Sequence, residues 1–175
     1  MSTMARVRRA DVTAVPLDPV LDFMRLLWRI EHALQATSKR METELGLTGP
    51  QRLALRVIGR FPGISAGDLA GILHLHPSTM TGVIQRLVEK GLLNRQRDPA
   101  DSRRMQLQVR PRASALQRVA RGTVEHAVAR ALRRAPAPRI RQARMLLGAV
   151  ADELDAETQT GRRRSRHRAS IPLPT

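Results

Sequence analysis

The 175-residue sequence offers few side chains in arrangements that could break or form covalent bonds. His74 and His76 stand two residues apart, but the chain has no cysteine and no third histidine close by, so a transition-metal site would lack ligands. Asp98 and Asp101 flank a proline among arginines, where salt bridging is the expected role rather than paired acid–base work. Gly63, Gly67 and Gly71 have neither the Gly-Lys-Ser/Thr ending of a phosphate loop nor the strand context of a dinucleotide fold. No Ser-His-Asp arrangement is readable. The sequence therefore reads as that of a protein that is not an enzyme and needs no cofactor or metal.

What the residues do offer is hydrogen bonding at helical spacing. With about 100° per residue from Ser78, Met80, Val83, Ile84 and Leu87 fall on one side of a helix. Ser78, Thr81, Gly82 and Gln85 fall on the other, with Thr79 and Arg86 flanking them. Small hydroxyls, an amide and a guanidinium can approach base edges and phosphates closely. Amide and guanidinium groups also match the donor–acceptor patterns of adenine and guanine in a major groove. Gly82, central on that face, permits close approach at a cost to helix stability of about 1 kcal/mol.

Composition points the same way. Lys+Arg number 31 against 15 Asp+Glu, a formal net charge of +16, which favours a polyanionic partner, nucleic acid ahead of a membrane surface. Arginine supplies nearly all of that charge, as a GC-rich coding sequence alone would favour. With two Phe, one Trp and no Tyr, there is no set of rings on which single-stranded bases could stack, so a duplex is the better target. Residues 1–17 carry arginines without a following apolar run, unlike a secretory signal. No stretch approaches the roughly 20 apolar residues of a membrane span. The expected location is the cytoplasm, with no membrane partner.

The polar face must be held by other elements, and the apolar spacing supplies them. A long helix is expected over 18–45, with Leu21, Met24, Leu27, Trp28, Leu34, Met41 and Leu45 as its stripe and Gly46 as its stop. Thr48 and Gln51 form a capping box for a second helix whose inward residues are Leu53, Val57, Ile58 and Phe61, stopped by Pro62-Gly63. Ser65 and Asp68 start a third. His74-Leu75-His76 makes the turn, and Pro77 opens the fourth, closed by Gly91. The period then changes to two. Leu93, Arg95 and Arg97, then Met105, Leu107 and Val109, predict two antiparallel strands around a polar loop. Helices over 111–134 and 138–157 complete the pattern, with Leu116, Val119, Val124, Val128 and Leu132, then Ile140, Leu146, Leu147, Val150 and Leu154, as inward faces.

Two short helices, a tight turn and a hairpin make a winged helix-turn-helix. The stretch 64–116, with His76-Pro77-Ser78-Thr79-Met80-Thr81 and Arg97-Asp98-Pro99-Ala100-Asp101-Ser102-Arg103-Arg104, resembles the MarR family of regulators. The wing pattern Asp-Pro-x-Asp-x-Arg is matched at Asp98, Pro99, Asp101 and Arg103. The resemblance implies that Arg103 enters a minor groove and that Asp101 braces the wing. It also implies a homodimer on double-stranded DNA, usually a repressor at an inverted repeat. One departure stands out: the second strand ends in Val109-Arg110 where the family has Leu-Thr, and Arg110 cannot cap the next helix.

The expected fold is thus mainly α, a winged helix-turn-helix with long N- and C-terminal helices forming a dimerisation lobe. Its parts are a flexible arm over 1–17, a dimerisation helix over 18–47 and a DNA-binding lobe over 48–110. C-terminal dimerisation helices follow over 111–157, then a basic disordered tail over 158–175. The expected DNA contacts are His76, Ser78, Thr79, Thr81, Gln85 and Arg86 on the recognition helix and Arg97, Arg103 and Arg104 on the wing. Trp28 and His32, one turn apart beside Arg29, fit core or dimer interface. The resemblance adds the reading of a pocket for a small anionic or aromatic effector. A non-specific nucleoid-binding protein acting through its arginine-rich segments is the alternative function.

Overall fold

The computed structural model describes residues 17–99, 101 and 104–169, of which 161–169 are described by backbone alone. The chain divides into two compact units, one ending at His126 and the other beginning at Ala127.

In the first unit each helix begins and ends where local chemistry requires. α1 (Pro19–Leu45) starts at Asp18, whose carboxylate accepts from the Val20 and Leu21 N–H groups at 3.0 and 3.2 Å. It stops at Gly46, whose φ of 69° is a left-handed conformation that costs glycine little. α2 (Gly49–Arg60) opens with the reciprocal Thr48–Gln51 capping box. α3 (Ala66–Leu73) opens at Ser65, whose hydroxyl accepts from the Asp68 N–H at 3.1 Å. α4 (Pro77–Glu89) has its proline in the first turn, where an N–H would be unsatisfied anyway.

β1 (Leu93–Arg97) and β2 (Met105–Val109) pair antiparallel, from Leu93 opposite Val109 to Arg97 opposite Met105. The segment before α3 adds a short third rung. Gly63 donates to the Leu107 carbonyl at 2.9 Å, Leu107 donates back to Ile64 at 3.0 Å, and Ser65 bridges Gln106. The hairpin is therefore hydrogen-bonded to the start of the helix-turn-helix. One apolar cluster unites these elements, with Leu47, Leu55, Ile58, Leu69, Met80, Ile84, Leu87, Leu93, Leu107 and Ala113 essentially inaccessible.

The structure departs from the sequence expectation in three places. In α2, Leu53 and Phe61 are exposed rather than inward. The buried side holds Gln51, Arg52, Ala54, Leu55 and Ile58 instead, because Arg52 finds partners inside and rotates the face by about one residue. The single helix expected over 111–134 is broken. A 3-10 helix, Pro111–Gln117, is followed by a linker in which Gly122 has φ 81°, and α5 (Val124–Leu132) begins after it. The buried Thr123 hydroxyl accepts from the His126 N–H at 3.3 Å, which gives α5 its own start. Arg110, preceding the 3-10 helix, makes no side-chain cap, as its chemistry requires.

The third departure lies in the second unit. α6 (Ala137–Ala169) runs through most of the segment expected to be a disordered tail over 158–175. Arginine, glutamine and alanine are good helix formers and Gly161 is a single weak position, whereas the prolines at 172 and 174 come later. Met145, Leu146, Leu147 and Leu154 of α6 are exposed, as are Val20, Leu21, Met24, Leu26, Trp28, Ile30 and Leu34 of α1 in the first unit. Among the described residues of α1, only Met41 is fully buried. No helix among the described residues is long and apolar enough to cross a membrane.

Candidate nucleic-acid interface

The polar face of α4 is assembled as its spacing predicts. Met80, Val83, Ile84 and Leu87 are buried in the core, while Ser78, Thr79, Thr81, Gly82, Gln85 and Arg86 are exposed together on the opposite side. Burial of four apolar side chains fixes the rotation of the helix, because turning it by one residue would expose them at about 1.5–3 kcal/mol each.

The face is also ordered locally. His76, expected among the DNA contacts, is the N-cap of α4. Its Nδ1 accepts from the Ser78 N–H at 3.3 Å and lies 2.7 Å from the Ser78 hydroxyl. Accepting from an N–H requires an unprotonated Nδ1, so this geometry belongs to the tautomer with its proton on Nε2. The Thr81 hydroxyl donates back to the Pro77 carbonyl at 2.9 Å, leaving its methyl group and an oxygen lone pair outward. The Gln85 amide donates to Glu89 at 3.0 Å, so a base that engages Gln85 competes with a carboxylate one turn away.

The far end of α4 is tied by two contacts that sequence reasoning missed. The Lys90 ammonium donates to the carbonyl of Gly46, at the end of α1, and Arg112 donates to the carbonyl of Lys90. No local signal marks either, since the partners lie far off in sequence.

On the wing, Arg97 is exposed at the end of β1. Arg103, expected to be the groove-entering residue, lies outside the described residues. Asp101 is exposed, and its carbonyl accepts from the Arg104 N–H at 2.9 Å, which closes the loop between the strands. Arg104, also expected among the wing's DNA contacts, pairs in the structure with α3: its guanidinium is 3.0 Å from Asp68. The Ser65 hydroxyl donates to the same carboxylate at 2.7 Å. The Ser65 hydrogen bond is the main cause that holds the Asp68 carboxyl below its usual range; desolvation opposes it, and the Arg104 cation adds to the lowering. Asp68 thus latches the base of the wing to the start of α3, and sequence reasoning had given it only a capping role.

Arg52 is the other residue the sequence did not reveal. Buried in α2, it donates through Nε to Glu125 and through Nη2 to the Arg118 carbonyl, while Arg56 donates to the Gln117 carbonyl. These bonds hold the linker and the first turn of α5 against α2. The effector candidates Trp28, Arg29 and His32 all sit on α1 and are exposed, Trp28 at 58%. Among the described residues no cluster of three or more potential metal ligands occurs.

Comparison with known proteins agrees with this architecture. Residues 47–105, from just after α1 to the first residue of β2, match the model of the MarR family. The HTH-type transcriptional repressor Rv2887 of Mycobacterium tuberculosis is 30% identical over 122 residues, 70% of this chain and 88% of that protein. The chain belongs to the MarR family. Among solved structures of MarR-like fold, the transcriptional regulator SlyA superposes with a TM-score of 0.65 at 23% identity, covering 79% of this chain and 98% of that one. PcaV of Streptomyces coelicolor, a transcriptional regulator determined with its natural ligand, gives 0.62 at 26% identity, covering 85% and 98%. In this MarR-family chain α3 and α4 form the helix-turn-helix, and β1 and β2 form the wing. It is a DNA-binding transcription regulator.

Proposed function

We propose that the protein represses transcription by binding an inverted-repeat operator as a homodimer in the cytoplasm, has no enzymatic activity, and is released from DNA by a small anionic or aromatic effector. The observation that carries this reading is the α4 face. A helix fixed by four buried apolar side chains presents hydroxyls, an amide and a guanidinium outward, beside a wing latched to the same scaffold. In this reading Ser78, Thr79, Thr81, Gln85 and Arg86 meet base edges and phosphates in the major groove, and His76 orders the helix start with Nε2–H directed to a phosphate. Arg97 and Arg103 serve the adjacent minor groove. Asp101 braces the wing from its loop, and Arg104 does so through Asp68.

The homodimer is supported by the apolar side chains that α1 and α6 each leave in water, more than scattered surface residues account for. A second copy is the economical cover, and two-fold symmetry would then set two α4 helices about one DNA turn apart. Trp28, Arg29 and His32, open in one chain, supply a ring, a cation and an imidazole for an effector once another surface walls them in. The relatives named as repressors, and a regulator of this fold holding its natural ligand, support the same reading. Selection of duplexes from a randomised pool, followed by footprinting and light scattering, tests it. A symmetric footprint on a dimer is expected. A monomer, or a pool that yields no enriched sequence, would overturn it.

A further inference from the structure

The last part of α6 carries the densest charge in the chain. Between 161 and 169 there are five arginines (Arg162, Arg163, Arg164, Arg166 and Arg168) and His167, with no acid. The nearest carboxylate in sequence is Glu157, and the preceding turns hold Asp152, Glu153, Asp155 and Glu157. No acid therefore stands three or four residues from any of these arginines. Arg162 and Arg166, and likewise Arg164 and Arg168, have the i,i+4 spacing at which like charges oppose a helix.

The backbone is nonetheless helical through Ala169. At about 1.5 Å per residue, the five arginines occupy about 9 Å of axis, roughly one cation per 2 Å. Duplex DNA carries one negative charge per about 1.7 Å of its axis. At about 100° per residue, the five positions are distributed around the helix rather than along one edge. Such an arrangement suits phosphates and not the reading of base edges. Residues 158–169 include no large apolar and no aromatic residue. A helix lying in a membrane interface needs the first, and stacking on single strands needs the second.

We propose that the arginine-rich end of α6 is a second, sequence-independent contact surface for duplex DNA, binding phosphates outside the base pairs read by α4. The proposal rests on the reading of the chain as a duplex-binding regulator. The duplex neutralises the like-charge pairs, so DNA binding and helix stability in this segment are linked: the helix gains strength on the duplex and loses it in the free protein.

The test compares the full-length protein with a variant in which the five arginines are replaced by glutamine, which keeps length and helix propensity. A second variant ends at Thr160. Binding to a random-sequence duplex and to a duplex enriched by the full-length protein is followed by anisotropy between about 50 and 200 mM salt. The expected result is weaker binding of both variants to both duplexes by the same factor, tenfold or more. The slope of log affinity against log salt should be shallower by about 0.9 per lost phosphate contact. Far-UV circular dichroism should show helix gained on adding duplex to the full-length protein and not to the variants. Unchanged slopes would overturn the proposal. So would loss of discrimination between the two duplexes, which would make the segment a reader of sequence. Phosphatidylserine vesicles that bind the full-length protein but neither variant, with duplex binding unaltered, would assign the segment to membranes instead. If no duplex can be enriched yet the random-duplex slopes differ as expected, operator recognition fails and the phosphate contact stands.

Discussion

Replacing Arg52 by methionine should be among the most damaging single changes outside the apolar core. The side chain is 2% exposed and its partner Glu125 is 22% exposed. Methionine fills much of the same volume, so the cost is electrostatic rather than a cavity. The Glu125 carboxylate loses its cation, and the Arg118 carbonyl loses a charged donor. Removing one partner of a buried pair costs about 3–5 kcal/mol, because the other charge is left in a poor solvent. Glu125 retains some access to water, which places the expectation at the lower end, about 3 kcal/mol. Glu125→Gln should also destabilise, since it leaves the Arg52 guanidinium without its counter-charge. The double variant should cost less than the sum of the two by about 2 kcal/mol. Urea titrations at one fixed protomer concentration measure this, because the stability of an assembling protein depends on concentration. Arg52→Met costing under about 1 kcal/mol, or a strictly additive double variant, would refute the reasoning and reduce the Arg52 contacts to surface decoration.

Four further outcomes can be measured. Gln85→Ala should relax preference at particular operator positions by about 1–3 kcal/mol and leave random duplex nearly unaffected. Arg103→Ala should lower affinity for all duplexes, apart from residual preference for A·T-rich flanks; identical profiles across a panel of single-position operator variants would abolish this division between helix and wing. For Asp68, the carboxyl titrates below its ordinary 3.8 in the folded protein, so the unfolded chain takes up the proton more readily. The latch therefore contributes its full stability above pH 3.8 and loses it as pH falls through the lower folded value. Asp68→Asn should be less stable than wild type at neutral pH and equal to it at the acid end, and a gap that persists in acid would contradict the latch. Trp28 is the sole indole, so its emission should shift when an effector releases DNA; release with unchanged emission, and with effector affinity intact in Trp28→Ala, would place the pocket elsewhere.

The parts of this fold that were legible in the sequence are those decided within one or two turns of chain. Thr48 with Gln51, Ser65 with Asp68, and Gly46 each act on backbone groups three or four residues away, and each does in the structure what its type and position predict. The orientation of α4 was legible for a related reason. Its four buried residues lie on one stripe, so the polar face is whatever remains. Arg52 was not legible, because its partners Arg118 and Glu125 are brought to it only by the fold, and a charged residue in mid-helix ordinarily reads as solvent-facing. The same blindness put Leu53 and Phe61 inside and hid the pairing of Arg104 with Asp68, 36 residues earlier. Lys90 completes the set, reaching back to Gly46 across 44 residues.

These polar residues with distant partners share a location. Asp68–Arg104 joins the wing to α3, Lys90 and Arg112 fasten the end of α4, and Arg52 with Arg56 fasten the linker that leads to α5. The apolar core sets which face of α4 is outward, but hydrophobic contact is non-directional and tolerates small slides. Hydrogen bonds between named atoms are directional, and a base edge in a groove accepts errors of only a few tenths of an ångström before a bond lengthens out of range. The long-range polar contacts therefore set where the polar face of α4 stands, and the core sets only which way it faces. Local sequence patterns carry the second kind of information and not the first, which is why the face of the recognition helix was readable in advance and its mounting was not.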